Sequence, residues 1–174
     1  YYFQPSSEKD LISFLKDYEL DLPIYPLGAG SNIIIRDHGF YGVIIHFNKL
    51  KDIFIDKKGI ITTYCGAMDA DVARFARNHS RTGLEFLIGI PGTIGGGIKM
   101  NAGCFGREFK DILISIQAVN KSGKVLTIPA KDIDFKYRDS GLSDELIFLS
   151  ASFKGFKKEK SQIKSEVRKL IEKK

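Results

Sequence analysis

The stretch that decides the reading is residues 84–108, LEFLIGIPGTIGGGIKMNAGCFGRE. Seven of its residues are glycine, yet it is neither polar nor repetitive. Gly89, Gly92, Gly95, Gly96 and Gly97 are interleaved with Ile88, Ile90, Ile94 and Ile98. A bare backbone lets a ligand approach without meeting a Cβ. Consecutive N–H groups in such a loop form a nest for an anion, and a helix starting there adds its own free N–H groups and positive dipole end. A second loop of this kind, GAGSN at 28–32, follows the strand-like PIYPLG. Each loop carries a hydroxyl, Ser31 or Thr93, suited to a phosphate oxygen, while Ile88, Ile90 and Ile94 could wall a slot for a flat ring. Two such loops and an apolar wall suit a dinucleotide. Tight turns and close helix packing remain the other reading of either loop alone.

The common nucleotide signatures are absent. A Rossmann G-x-G-x-x-G starting at Gly28 would need glycine at 33, where Ile33 stands. The Gly123-Lys124 pair has Ala118 where a phosphate-binding loop needs its first glycine.

Outward from the two loops, the pattern is mixed. Ser7 with Asp10 reads as a capping box opening a helix over 8–18. NIIIRD (32–37) and YGVIIHF (41–47) read as strands. KDIFID and GIITTYCG read as a hairpin around Lys57-Lys58-Gly59, and 111–129 as another. Asp69 reads as the cap of a helix with Val72, Ala73, Phe75 and Ala76 inside. FKYRDSGL (135–142) is a loop and 145–156 a long strand. Ile163, Val167, Leu170 and Ile171 stripe a final helix over 159–174.

The chain has 174 residues, 43% hydrophobic and 28% charged, which describes an ordinary globular protein. No apolar run approaches the roughly 18 residues of a membrane helix. The start resembles no signal peptide and lacks Met, so an upstream extension is expected. Two cysteines, Cys65 and Cys104, point to reduced thiols in a cytoplasm. The net charge of +6 sits entirely in residues 154–174, with nine Lys/Arg against three Glu. That placement weakens a nucleic-acid reading, and His38, His46 and His79 show no metal-ligand spacing.

The same segments carry a resemblance. GLEFLIGIPGTIGGGIKMNAGCFGRE resembles the central flavin segment of the UDP-N-acetylenolpyruvoylglucosamine reductase (MurB) family. PLGAGSNIIIRDHGFYGVII resembles its first flavin loop, and FKYRDSGL its Tyr-Arg-x-Ser motif. The resemblance implies an α+β, two-subdomain FAD-binding fold of the PCMH/VAO type. Residues 1–50 and 51–156 would be the subdomains, and 157–174 a basic helix leading into an absent third domain. It implies non-covalent FAD facing Gly28, Ala29, Gly30, Ser31, Asn32, Gly89, Ile90, Pro91, Gly92, Thr93, Gly95, Gly96, Asn101 and Gly103. It further implies Arg138 as the catalytic arginine with Tyr137 beside it at the substrate, and NADPH and UDP-N-acetylglucosamine enolpyruvate as partners. No metal, membrane or nucleic acid is expected. The family's proton-donating serine and assisting glutamate belong to the third domain, and Ser161 and Ser165 match neither. Two rivals stay open: another FAD-dependent oxidoreductase of the superfamily, and a nucleic-acid-binding module using the basic tail.

Overall fold

The computed structural model describes residues 1–172. Strand β1 (Tyr2–Phe3), helix α1 (Glu8–Lys16), β2 (Ile24–Leu27) and β3 (Val43–His46) come first. The three strands form a parallel sheet in the order β1-β3-β2. Helix α1 starts where its capping box predicts: the Ser7 hydroxyl accepts the Asp10 N–H at 3.1 Å, and the Asp10 carboxylate accepts the Ser6 N–H at 2.7 Å. It ends at Lys16, two residues short of expectation.

The strand expected over 32–37 does not form. Ile34 is 95% exposed and Ile35 48% exposed. The run lies between turns at 31–32 and 37–38 and pairs with no strand of the sheet.

The larger part follows: β4 (Ile53–Ile55), β5 (Ile60–Tyr64), α2 (Asp69–Asn78), β6 (Arg81–Thr82), a 3₁₀ turn at Glu85–Gly89 and α3 (Ile94–Lys99). Then come β7 (Gly103–Cys104), β8 (Arg107–Glu108), β9 (Leu113–Val119), β10 (Val125–Pro129), β11 (Ile147–Lys154), β12 (Phe156–Lys157) and α4 (Lys160–Glu172). Five strands form an antiparallel sheet in the order β10-β9-β11-β5-β4, with both expected hairpins in place.

Apolar side chains gather in two clusters that share this sheet. Val72, Phe86, Ile94, Ile98 and Phe109 pack on one face with Ile61, Ile116 and Phe153. Leu11, Leu15, Val43 and Ile45 meet Val119, Ile147 and Leu149 in the second cluster. Residues 147–151 of β11 are therefore all buried, as happens where both faces of a strand are covered. Phe109 is fully buried edge-to-face between Phe86 and Phe153, with ring centroids 6.3 and 6.0 Å away. A Cβ on Gly97 would overlap the Phe109 ring, so this glycine serves packing.

One expectation changes here. Asp69 is not a cap: Met68 holds that position without a side-chain bond, and Asp69 is the first helical residue, wholly buried. Helix α4 lies against the 85–89 turn and α2 and buries Ile163, with Val167 and Leu170 half-buried. Ile171 stays 54% exposed, and residues 173–174, expected in the same helix, lie outside the described residues.

Candidate functional site

The two glycine loops, more than sixty residues apart in sequence, touch. A Cβ on Gly28 would overlap the Thr93 hydroxyl. A Cβ on Gly92 would lie 3.6 Å from Ser31 Oγ and 3.2 Å from Asp69 Oδ2. Strand β2 delivers the first loop, and the crossing from the 85–89 turn into α3 delivers the second. Among the described residues, none of the N–H groups of Gly28, Ala29, Gly30, Ser31 and Asn32 has a backbone acceptor. The same holds for Gly92, Thr93 and Gly96. Ala29, Gly30, Ser31, Asn32 and Gly96 are exposed.

The start of α3 is less open than its sequence suggests. The Ile94 and Gly95 N–H groups donate to the Ala67 and Cys65 carbonyls, both at 2.9 Å. Asp69 N–H donates to the Gly92 carbonyl at 3.1 Å. These bonds fasten the second loop to the β5–α2 connection and leave a smaller set of amides for an anion. Gly89 and Gly95 back onto Cys104 and Cys65 respectively, and Gly103 lies in β7, so their bareness serves close packing. Ile90 is half-buried and Pro91 exposed beside Gly92.

Asp69, read from the sequence only as a cap, lies beside the loop junction. It is 0% exposed, and neither carboxylate oxygen has a hydrogen-bond partner among the described residues. Burial pushes its pKa up to about 8. An acid at a helix start signals a cap, and nothing in the sequence distinguishes a capping Asp from one turned inward.

Asn101 follows the other end of α3 with the opposite character. It too is 0% exposed. Its amide donates to Glu108 Oε2 at 3.0 Å and to the Lys136 carbonyl at 3.1 Å, and its oxygen accepts the Lys110 N–H at 3.2 Å. The side chain expected to face the cofactor is thus engaged within the protein, in a backbone conformation with φ +39°. Lys110, with its Nζ 2.8 Å away, holds the Glu108 carboxyl below its usual range.

These bonds position the 135–142 loop. The Ser140 N–H donates to the Lys99 carbonyl at 3.0 Å, and Lys99 Nζ donates to the Leu142 carbonyl at 2.6 Å. Tyr137 and Arg138 form the tip, between Lys136 and Asp139, whose backbones pair at 2.9 Å. Both tip side chains are exposed, and the Arg138 guanidinium lies 5.1 Å from the Tyr137 ring centroid. Asp139 does not pair with Arg138; its carboxylate accepts the Gly141 N–H at 2.9 Å. Arg138 has φ +59°, a costly conformation for a non-glycine residue that its surroundings must impose.

Other sequence candidates stay structural. Glu85 accepts from the Thr82 hydroxyl at 2.6 Å and the Gly83 N–H at 2.7 Å, fixing its loop. Cys65 is buried, which pushes its thiol pKa up. No trio of His, Cys, Asp or Glu able to hold a metal occurs among the described residues, and no described helix is long and apolar enough to cross a membrane.

Residues 1–129 match the family described as FAD binding domain. The chain belongs to the FAD binding domain family. Its fold is the α+β FAD-binding fold of the PCMH/VAO type. It is 51% identical over 174 residues to the UDP-N-acetylenolpyruvoylglucosamine reductase of Pelagibacter ubique (strain HTCC1062), covering 99% of this chain and 58% of that protein. It is 40% identical to the protein of the same name from Orientia tsutsugamushi (strain Boryong), covering 97% and 57%. The crystal structure of UDP-N-acetylenolpyruvylglucosamine reductase (MurB) from Thermus caldophilus superposes with a TM-score of 0.84 at 24% identity, over 98% of this chain and 61% of that one. A berberine bridge enzyme variant, a reticuline dehydrogenase, superposes at 0.68 with 15% identity, over 90% and 34%. The chain thus spans under two thirds of the length of each of these proteins. Two touching glycine loops with unbonded amides are a cradle that fits the FAD binding this family implies.

Proposed function

We propose that this chain is the flavin-holding part of an NADPH-dependent UDP-N-acetylenolpyruvoylglucosamine reductase, which reduces the enolpyruvyl group of its UDP-sugar in the cytoplasm to give a peptidoglycan precursor. The observation that carries the reading is the junction of Gly28–Asn32 with Gly92–Thr93, tied through α3 to the Tyr137–Arg138 tip. The loop amides would hold the pyrophosphate, and Ile90 and Pro91 would flank the ring system. When bound, FAD supplies the hydride relay from NADPH to the enolpyruvyl double bond. Arg138 stabilises the charge that develops beside the substrate carboxylate. A guanidinium offers a rigid fork of donors and keeps its charge at any working pH. Tyr137 lines the substrate beside it. Asn101 and Lys99 hold this tip in register with α3. Residues 1–50 and 51–156 form the two flavin subdomains, and 157–174 leads into a third domain that completes the substrate pocket in cis.

Non-covalent FAD predicts that acid precipitation releases all the yellow chromophore. Gly92→Val places a branched side chain against Asp69 and Ser31, so flavin occupancy collapses while the far-UV circular dichroism spectrum stays unchanged. In the longer protein, coupled NADPH oxidation falls roughly 10²–10³-fold in Arg138→Ala, the scale of losing one preorganised electrostatic donor, with flavin content unchanged. Residues 1–174 alone bind FAD without turning over the UDP-sugar; full activity of that chain would overturn the division of labour.

A further inference from the structure

The mechanism above leaves one buried group without a task. Asp69 lies at the start of α2, beneath the point where the two glycine loops touch. The space a Cβ of Gly92 would fill is bounded by Asp69 Oδ2 at 3.2 Å and Ser31 Oγ at 3.6 Å. Both carboxylate oxygens lack partners among the described residues, at 0% exposure. A buried polar atom without a bond destabilises a fold, and leucine at position 69 would avoid that. Keeping the acid there makes sense if its partner arrives with a ligand.

We propose that Asp69 is itself a cofactor-binding residue: in its protonated form it donates a hydrogen bond to a phosphate oxygen of FAD seated between the Gly28–Asn32 and Gly92–Gly96 loops. This rests on the assignment of that junction to FAD. The surroundings favour a phosphate over a hydroxyl. Both loops carry amides without backbone acceptors, and Asp69 sits at the N-terminal end of α2, where the helix dipole favours negative charge. An ionised carboxylate there would repel the phosphate, whereas a neutral one donates to it.

The groups facing Asp69 keep it neutral. The 28–32 loop and the 91–96 segment contain no titratable side chain. Cys65, on the β5–α2 connection, is buried with its thiol pKa pushed up. On α2 itself, Asp71 is exposed and paired with Arg74 at 2.6 Å. Burial alone pushes the Asp69 pKa up to about 8.

The test is FAD affinity of the 174-residue chain from pH 6 to pH 9, read by flavin fluorescence quenching. Wild type is expected to bind about tenfold more weakly at pH 9 than at pH 7, because the bound form needs a proton that free Asp69 loses near pH 8. Asp69→Asn keeps a neutral donor, so its affinity stays within a few-fold of the pH 7 wild-type value and does not change with pH. Asp69→Leu binds roughly 10- to 100-fold more weakly at every pH, the scale of a lost hydrogen bond to a charged group. Should Asp69→Leu fail to fold, the wild-type profile and Asp69→Asn still decide. A flat wild-type profile overturns the proposal, as does affinity that rises with pH, which would mark an ionised acceptor. Either result alongside tight FAD binding leaves the cofactor assignment standing. Absence of FAD binding at any pH overturns both.

Discussion

Asp69 and Asn101 stand at opposite ends of α3, which at six residues is about 9 Å long. Both are completely buried. Asn101 has three protein bonds to its side chain, and Asp69 has none among the described residues. The same helix thus joins a polar group that builds the protein to one that the protein leaves unfinished. The first kind adds rigidity where a loop tip must be held against backbone strain. The second kind costs stability and is expected where a ligand completes the bonding.

The contrast is most easily broken at Asn101. Asn101→Ala strands the Lys110 N–H, takes one of two bonds from the Lys136 carbonyl and from Glu108 Oε2, which keep the Asp139 N–H and Lys110 Nζ, and puts alanine at a positive φ that asparagine tolerates better. Urea denaturation is expected to show a loss of about 3 kcal/mol. A loss below about 1 kcal/mol would mean that water replaces the amide without penalty.

At Asp69 the sign reverses. The carboxyl has its ordinary value of 3.8 when unfolded and about 8 when folded. The folded state therefore holds a proton that the unfolded state releases, so the contribution of Asp69 to stability is fully present below about pH 4 and is lost as pH rises through 8. Asp69→Asn is expected to remove this decline and to make the FAD-free protein more stable than wild type by about 1–3 kcal/mol above pH 8. Thermal denaturation of the FAD-free proteins across pH 5 to 9 reads this directly. Parallel curves for the two would show that Asp69 has a partner in solution.

The smallest effect separates two glycines of the same segment. Gly97→Ala pushes a methyl into the Phe109 ring and should destabilise by about 1–2 kcal/mol even though alanine favours the helix. FAD affinity should not change. A change in affinity without a change in stability would place Gly97 with Gly92, on the ligand side.

Much of this was legible in the sequence. Ser7 with Asp10 marks a helix start correctly because the capping bonds are local. The hairpins at Lys57-Lys58-Gly59 and 111–129 follow from turn residues between β-branched runs. The contact between the two glycine loops follows from no local rule; it rested on the family resemblance. The isoleucines at 33–35 have the composition of a strand, but strand formation needs pairing and burial, and this run pairs with no strand and leaves Ile34 exposed. β1 is only two residues long, too short to register as a pattern. The inward turn of Asp69 depends on burial by loops distant in sequence. The strain at Arg138 is likewise hidden, since Tyr-Arg-Asp-Ser reads as an ordinary polar loop until its anchors at Lys99 and Asn101 are seen.

The five-stranded sheet has a consequence for anyone dividing the chain. Val119, Ile147 and Leu149 belong to the core beneath α1, yet they are threaded through strands that also wall the other core. A split-protein cut or a fusion junction near residue 50 is therefore no clean seam. The downstream piece would carry a greasy strip of sheet into water, and the upstream piece would lose the floor on which Leu11 and Leu15 rest. The two halves have to be inherited, expressed and engineered together.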